Sequence, residues 1–241
     1  MSKKNSHFPF MVREYLYTRL PEVYIAVMLE EKPTVELIKD RYRARIEAHG
    51  ESELALGWRE NTSQHRYQAV SRVVSNLSPN SILDIGTGYG FLLNELRKDG
   101  WSGIFTGLDV LPEFISAARI KYQVDDRADF QVSEDFFSFE RYTADFSVGL
   151  GLLNHVSTAD LSFRLDFLDR IANVSQIGFV VDFLCNSSNR KSKELVYQEV
   201  TTLVNWATQN NFAWFIDHSY LRFEFMFVVL TTKSNLEDFL Y

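Results

Sequence analysis

The stretch SILDIGTGYGFLLNEL, residues 81–96, constrains the fold more than any other part of the chain. An apolar run of strand length carries an acid, Asp84, passes glycines at 86, 88 and 90, and turns at once into a helical pattern. Glycine at alternate positions lets the backbone enter left-handed conformations and approach a neighbour closely, because no Cβ obstructs it. A strand feeding a helix through such a turn is the opening unit of a parallel α/β sheet. Ligands of open parallel sheets lie beyond the carboxyl ends of the strands.

The sequence after Pro79 repeats this alternation. Strands are expected at 81–85, 104–109, 129–132, 144–150 and 177–183, with helices at 90–99, 112–122, 160–174 and 192–209. The terminal segment NFAWFIDHSYLRFEFMFVVLTT holds two strand-like runs joined by too few residues for a crossover helix, so those two must pair antiparallel. The predicted fold is a doubly wound, mostly parallel seven-stranded α/β sheet with an antiparallel C-terminal hairpin. Residues 1–75 read as a helical extension or lid, with TVELIKDRYRARIEAHG and SQHRYQAVSRVVSNL as its clearest helices, and residues 76–241 as the sheet domain.

Composition narrows the function. With 241 residues, 46% of them hydrophobic, the chain can bury one sizeable α/β core. A single cysteine, Cys185 in an apolar stretch, forms no internal disulfide and reads as a small hydrophobe. No apolar run reaches the length of a signal sequence or a membrane span, so a cytoplasmic location away from membranes is expected. A formal net charge of -7 offers no electrostatic footprint for nucleic acid.

Two ligand classes use a glycine turn of this kind. The dinucleotide pattern requires a small residue where Phe91 stands, and an apolar one where Asp84 stands. The pattern is instead acid-x-Gly-x-Gly-x-Gly. LDIGTGYG resembles the first motif of class I S-adenosylmethionine-dependent methyltransferases. The resemblance implies that Asp84, Gly86, Thr87, Gly88, Tyr89 and Gly90 hold the methionine part and ribose of that cofactor, whose product is S-adenosylhomocysteine. GLDV places Asp109 and Val110 for the ribose; VSEDFF offers Glu134 or Asp135 to the adenine amino group, with Phe136 near the ring. VGLGLLNHV, containing Leu150, resembles the family's fourth motif, which implies that it lines the floor under the sulfonium.

A narrower resemblance covers HGESELALGWRENTSQHRYQAV, residues 49–70, and HSYLRFEFMFVVL near the end. It is to a bacterial group of small methyltransferases linked with surface-polysaccharide or secondary-metabolite pathways. It implies that Trp58, Gln64 and Arg66 belong to a segment folding over the cofactor, with Arg66 or Gln64 facing its carboxylate. Ser219 stands where that group carries an aspartate. Each residue also has a plainer reading: Asp109 as a helix cap, Trp58 as a core aromatic, Arg66 as an unpaired surface residue.

If the acceptor is a hydroxyl or a protonated amine, a base is required, and His155 and His218 are the catalytic candidates. GLLNHV lacks the Asn-Pro-Pro-aromatic pattern of methyltransferases acting on amino groups of bases or glutamine. The expected activity is methyl transfer to the oxygen or nitrogen of a small molecule, such as a sugar or secondary metabolite, without a metal. A protein or RNA methyltransferase and a non-catalytic cofactor-binding or assembly subunit are the alternatives; homodimerisation is left open.

Overall fold

The computed structural model describes residues 35–59 and 62–231. Its strands are β1 (Ser81–Ile85), β2 (Ile104–Asp109), β3 (Ala128–Val132), β4 (Ala144–Gly149), β5 (Ser175–Cys185), β6 (Tyr197–Gln198), β7 (Ala213–Asp217) and β8 (Glu224–Leu230). Its helices are α1 (Val35–His49), α2 (Ser63–Leu77), α3 (Phe91–Lys98), α4 (Pro112–Lys121), α5 (Leu161–Val174) and α6 (Val200–Gln209). The sheet runs β3-β2-β1-β4-β5-β8-β7, and the short β6 pairs with the end of β5. Strands β1 to β5 pair in parallel, whereas β8 is antiparallel to both β5 and β7, as the short connection between the last two strands requires.

Side-chain alternation divides the core into two faces. Phe179, Val181 and Phe183 of β5, with Phe225, Phe227 and Val229 of β8, pack beside α5 residues Leu168 and Ile171. Val180, Met226 and Val228 point the other way, into a cluster with Val70 and Val73 of α2 and Leu92 and Leu96 of α3. By the same period of two, Asp182 and Glu224 fall on the α2 face of the sheet. Helix α2 is thus a layer of the sheet domain, sharing a core with Ile82 and Phe146. Helix α1 and the turn after it pack elsewhere, on a smaller cluster built around Ala55, Tyr89, Leu111 and Phe114. Residues 1–34 of the expected helical extension lie outside the described residues.

One expected element is corrected. The helix anticipated over 192–209 begins only at Val200, because Tyr197 and Gln198 pair with Leu184 and Cys185, and Leu195 bridges to His155. The Val196–Val200 spacing fits a helix locally, but β5 runs on to Cys185 and offers an open edge that this segment occupies. No described helix is long and apolar enough to cross a membrane.

The glycine turn shows why its residues are small. Gly90, the N-cap of α3, has φ +70°, and a Cβ there would lie 2.8 Å from Phe130 Cε1 and 2.9 Å from Tyr122 Cε2. Gly100 has a similar φ of +90° but nothing within 4 Å. Gly90→Ala therefore pays both a left-handed backbone, about 1–2 kcal/mol, and overpacking of about 1–3 kcal/mol. Gly100→Ala pays only the first. Denaturant unfolding should show the 90 variant to be the less stable of the two; equal losses would mean that Phe130 and Tyr122 do not close on the turn.

Candidate functional site

The site forms where β1, β2 and β4 end and the chain crosses to helices. The N–H groups of Gly86 and Thr87 donate to Leu108 O at 2.7 and 2.9 Å, tying the turn after β1 to the end of β2. Asp109 completes the tie: its Oδ2 accepts from Gly88 N–H and its Oδ1 from Leu111 N–H, both at 2.9 Å. The carboxylate thus serves the glycine turn and the start of α4 together. Burial pushes its pKa up to about 6 against these hydrogen bonds. Asp84, buried beneath the turn, accepts from Thr87 Oγ1 at 2.7 Å and is pushed up to about 7 by burial.

Two cavities adjoin. The narrow one, about 100 Å³, is lined by the turn through Asp84, Gly86 and Thr87, by Asp109 and Val110, by Asp135 and Phe136, and by Leu150. The wider one, about 510 Å³, opens between residues 56–59, Thr62 and Arg66 on one side and the loop after β5 and the turn before β8 on the other. Arg41, Tyr42, Leu56, Trp58, Gly151 and His155 line both and mark their junction. Over the glycines sit apolar side chains: a Cβ at Gly88 would come 2.6 Å from Leu56 Cδ2, and one at Gly86 would strike Leu152.

The remaining sequence candidates divide by position. Tyr89 turns away from the narrow cavity, with its ring 4.7 Å from that of Phe114 and its hydroxyl donating to Gly50 O. Of the two acids after β3, Asp135 lines the narrow cavity, whereas Glu134 is exposed and 3.7 Å from Arg141. Gln64 lines neither cavity. Neither does His218, whose Nδ1 donates to Glu224 O at 2.6 Å.

Arg66 is buried and paired. It donates to Glu224, lies 3.5 Å from Asp182 Oδ2 through Nε, and places its guanidinium 5.0 Å from the Trp58 ring centroid. Burial raises the pKa of both carboxylates, and the arginine's charge opposes that rise. The Tyr220 hydroxyl is buried without a hydrogen-bond partner, and burial, with Asp182 and Glu224, raises its pKa. Asp182 and Glu224 escaped the motif reading. Their signal was an acid inside an apolar strand, in VVDFL and RFEFM.

His155 is arranged as a donor. Ser157 N–H, which can only donate, points at its Nδ1 from 3.2 Å, so in the neutral ring the proton sits on Nε2. Burial, reinforced by Arg41, lowers its pKa to about 4, which keeps the ring neutral near pH 7. A neutral ring with Nε2 protonated donates a hydrogen bond at that nitrogen and takes no proton there.

The raised pKa of Asp84 makes a stability prediction. Its folded value of about 7 exceeds the ordinary 3.8, so the folded state holds the proton more tightly. Stability from this group is full below about pH 4 and is lost as pH rises through about 7. Asp84→Asn keeps an acceptor for Thr87 and removes the titration. Its melting temperature relative to the native protein should climb between those limits and level above them. A constant difference would show that Asp84 is ionised throughout.

Comparison with known proteins places this arrangement. A methyltransferase domain family matches residues 82–175. A Mycobacterium tuberculosis H37Rv protein named as a methyltransferase, Rv1506c, is 33% identical over 122 residues, spanning 49% of this chain and 71% of that protein. Among solved structures, an O-methyltransferase family protein from Burkholderia thailandensis superposes with a TM-score of 0.65 at 13% identity, covering 93% of this chain and 70% of the other. Magnesium protoporphyrin IX methyltransferase from Synechocystis PCC 6803 gives 0.57 at 12% identity over 95% and 100%. The methyltransferase domain of a bacterial Hen1 gives 0.54 at 18% identity over 70% and 100%. The glycine turn, the sheet order and the 33% identical relative together show that the chain belongs to the class I S-adenosylmethionine-dependent methyltransferases.

Proposed function

We propose that the protein transfers a methyl group from S-adenosylmethionine to a small-molecule acceptor, with the cofactor over the glycine turn and the acceptor in the wider cavity. The observation that carries this reading is the junction: the narrow cavity over the motif residues opens directly into a second one through Arg41, Trp58, Gly151 and His155. When bound, the cofactor supplies an electrophilic methyl group on a sulfonium.

The residues present fit such a cofactor. Backbone N–H groups of Gly88, Leu111 and Val110 turn toward the Asp109 carboxylate, whose roughly four acceptor positions leave room for a ribose hydroxyl. Asp135 and Phe136 lie where an adenine would meet an acid and a ring face, and Val110 and Leu150 add apolar wall. The narrow cavity falls below the ~300 Å³ at which small-molecule sites begin, so Leu56 and Leu152 must withdraw from the glycines for entry. The moving part is then α1 with residues 50–59, while α2 stays with the sheet. This reading divides the chain near residue 62 and not at 75.

In this reading Arg66 and His155 take other roles than cofactor clamp and general base. Arg66, already paired with Asp182 and Glu224, shapes the wall beside Trp58 and leaves the cofactor carboxylate to other groups. His155 orients the acceptor through Nε2–H, and the acceptor's proton, where it has one, passes to water in the wider cavity, beyond the junction that Trp58 and Leu56 cover. Trp58 and Leu56 exclude water from the junction, which favours attack by a held nucleophile.

Two measurements test this. Asp109→Ala should weaken S-adenosylhomocysteine binding in calorimetry by about 1.5–3 kcal/mol, the range for hydrogen bonds to a charged group, whereas Glu134→Ala should leave it unchanged. Equal affinity in a folded Asp109 variant would remove the ribose role. Hydrogen exchange with and without S-adenosylhomocysteine should slow across 50–59 and remain constant in α2; indifference of both segments would make the first a fixed structural turn.

A further inference from the structure

The wider cavity is cationic in a chain of formal net charge -7. Its wall carries Arg41, Arg59, Arg66, Arg190 and Arg222 against the carboxylates Asp182 and Glu224. Arg66 takes up both carboxylates. Among the described residues, no carboxylate lies within ion-pair distance of the other four arginines.

Two of those four are held against aromatic faces. The Arg41 guanidinium sits 5.5 Å from the Tyr42 centroid and that of Arg222 is 4.7 Å from Phe223. Stacking fixes the plane of a guanidinium and leaves its N–H edge available for planar, two-pronged acceptors. Arg41 stands at the junction with the narrow cavity, and Arg59, Arg190 and Arg222 are exposed. Isolated surface arginines are merely solvated. Arg59 acts on Glu224 only at longer range than an ion pair, and four arginines without a paired carboxylate lining a single concavity, in an acidic protein, focus a positive potential there and draw anions into it.

We propose that this cavity is the acceptor subsite for a small molecule bearing phosphate or carboxylate groups, gripped by Arg41, Arg59, Arg190 and Arg222. The assignment of the anion to the acceptor rests on the methyl-transfer reading above; the anion site itself does not. Phosphate and carboxylate share the paired oxygens that a guanidinium fork recognises. Neutral sugars offer no such charge and should enter poorly unless they carry one of these groups.

Calorimetry on the full chain separates the outcomes, with inorganic pyrophosphate, citrate and glucose as probes and S-adenosylhomocysteine titrated in parallel. Saturable binding of pyrophosphate or citrate, but not glucose, is expected, and whichever binds more tightly identifies the acceptor's anionic group. The double variant Arg190→Gln/Arg222→Gln should weaken that binding about tenfold or more, while Arg127→Gln, whose side chain donates to Ser102 O away from both cavities, should not. No saturable anion binding, or binding that the double variant leaves intact, overturns the proposal. S-adenosylhomocysteine binding without anion binding leaves methyl transfer standing and rejects the anionic acceptor. Anion binding without S-adenosylhomocysteine binding rejects the acceptor role. An RNA oligonucleotide binding far more tightly than pyrophosphate would replace the small molecule with a nucleic acid.

Discussion

The architecture of the site depends on one carboxylate, that of Asp109, which ties two chain reversals together. Its oxygens accept from Gly88 N–H in the turn after β1 and from Leu111 N–H at the start of α4. The neighbouring Leu108 carbonyl accepts from Gly86 and Thr87, and Ser133 N–H donates to Asp109 O, so the ends of three adjacent strands are drawn to one point. A buried N–H without a partner is costly, and the N–H groups of Gly88 and Leu111 find theirs in this carboxylate. The acid at the end of β2 therefore has a structural task before any ligand arrives. The plain reading of Asp109 as a cap and the ligand reading coexist, because a carboxylate has about four acceptor positions and the backbone takes three of them.

A different electrostatic problem is solved on the opposite side of the junction. Asp182 and Glu224 fall on the α2 face by strand alternation, and only Arg66 of α2 reaches both. Removing one member of a buried ionic group leaves an uncompensated charge, which costs far more than the intact group contributes. The arginine face lies 5.0 Å from the Trp58 ring centroid, and the Tyr220 hydroxyl nearby has no hydrogen-bond partner among the described residues. The trio forms a polar wall, and since Arg66 is paired there, the cavity's remaining positive charge comes from the four arginines around it.

The sheet was legible because its signals are local: apolar runs of strand length, glycines in the first turn, and a terminal pair with no room for a crossover. Where a signal required a tertiary partner, the sequence fell short. Residues 192–199 have helical spacing, and only the exposed edge of β5 turns Tyr197 and Gln198 into a strand. Arg66 lies beside a motif-like glutamine, yet its partners come from strands more than a hundred residues later, and pairing across that distance leaves no trace in local pattern. Asp135 separates from Glu134 by the bend of its loop, where Phe137 N–H and Ser138 Oγ donate to its carboxylate at the rim of the narrow cavity. His155 stands out by residue type and by its place just past the fourth strand; the Ser157 N–H aimed at its Nδ1 is a local contact that neither signal carries.

The turn over Asp84 and Gly86 is shaped for the adenosyl cofactor and not for a dinucleotide. Calorimetric titration of the native protein with S-adenosylmethionine and, separately, with a nicotinamide dinucleotide tests it most directly. Saturable binding of one S-adenosylmethionine per chain, with no heat of binding from the dinucleotide, is the predicted result. Saturable binding of the dinucleotide and none of S-adenosylmethionine would contradict it.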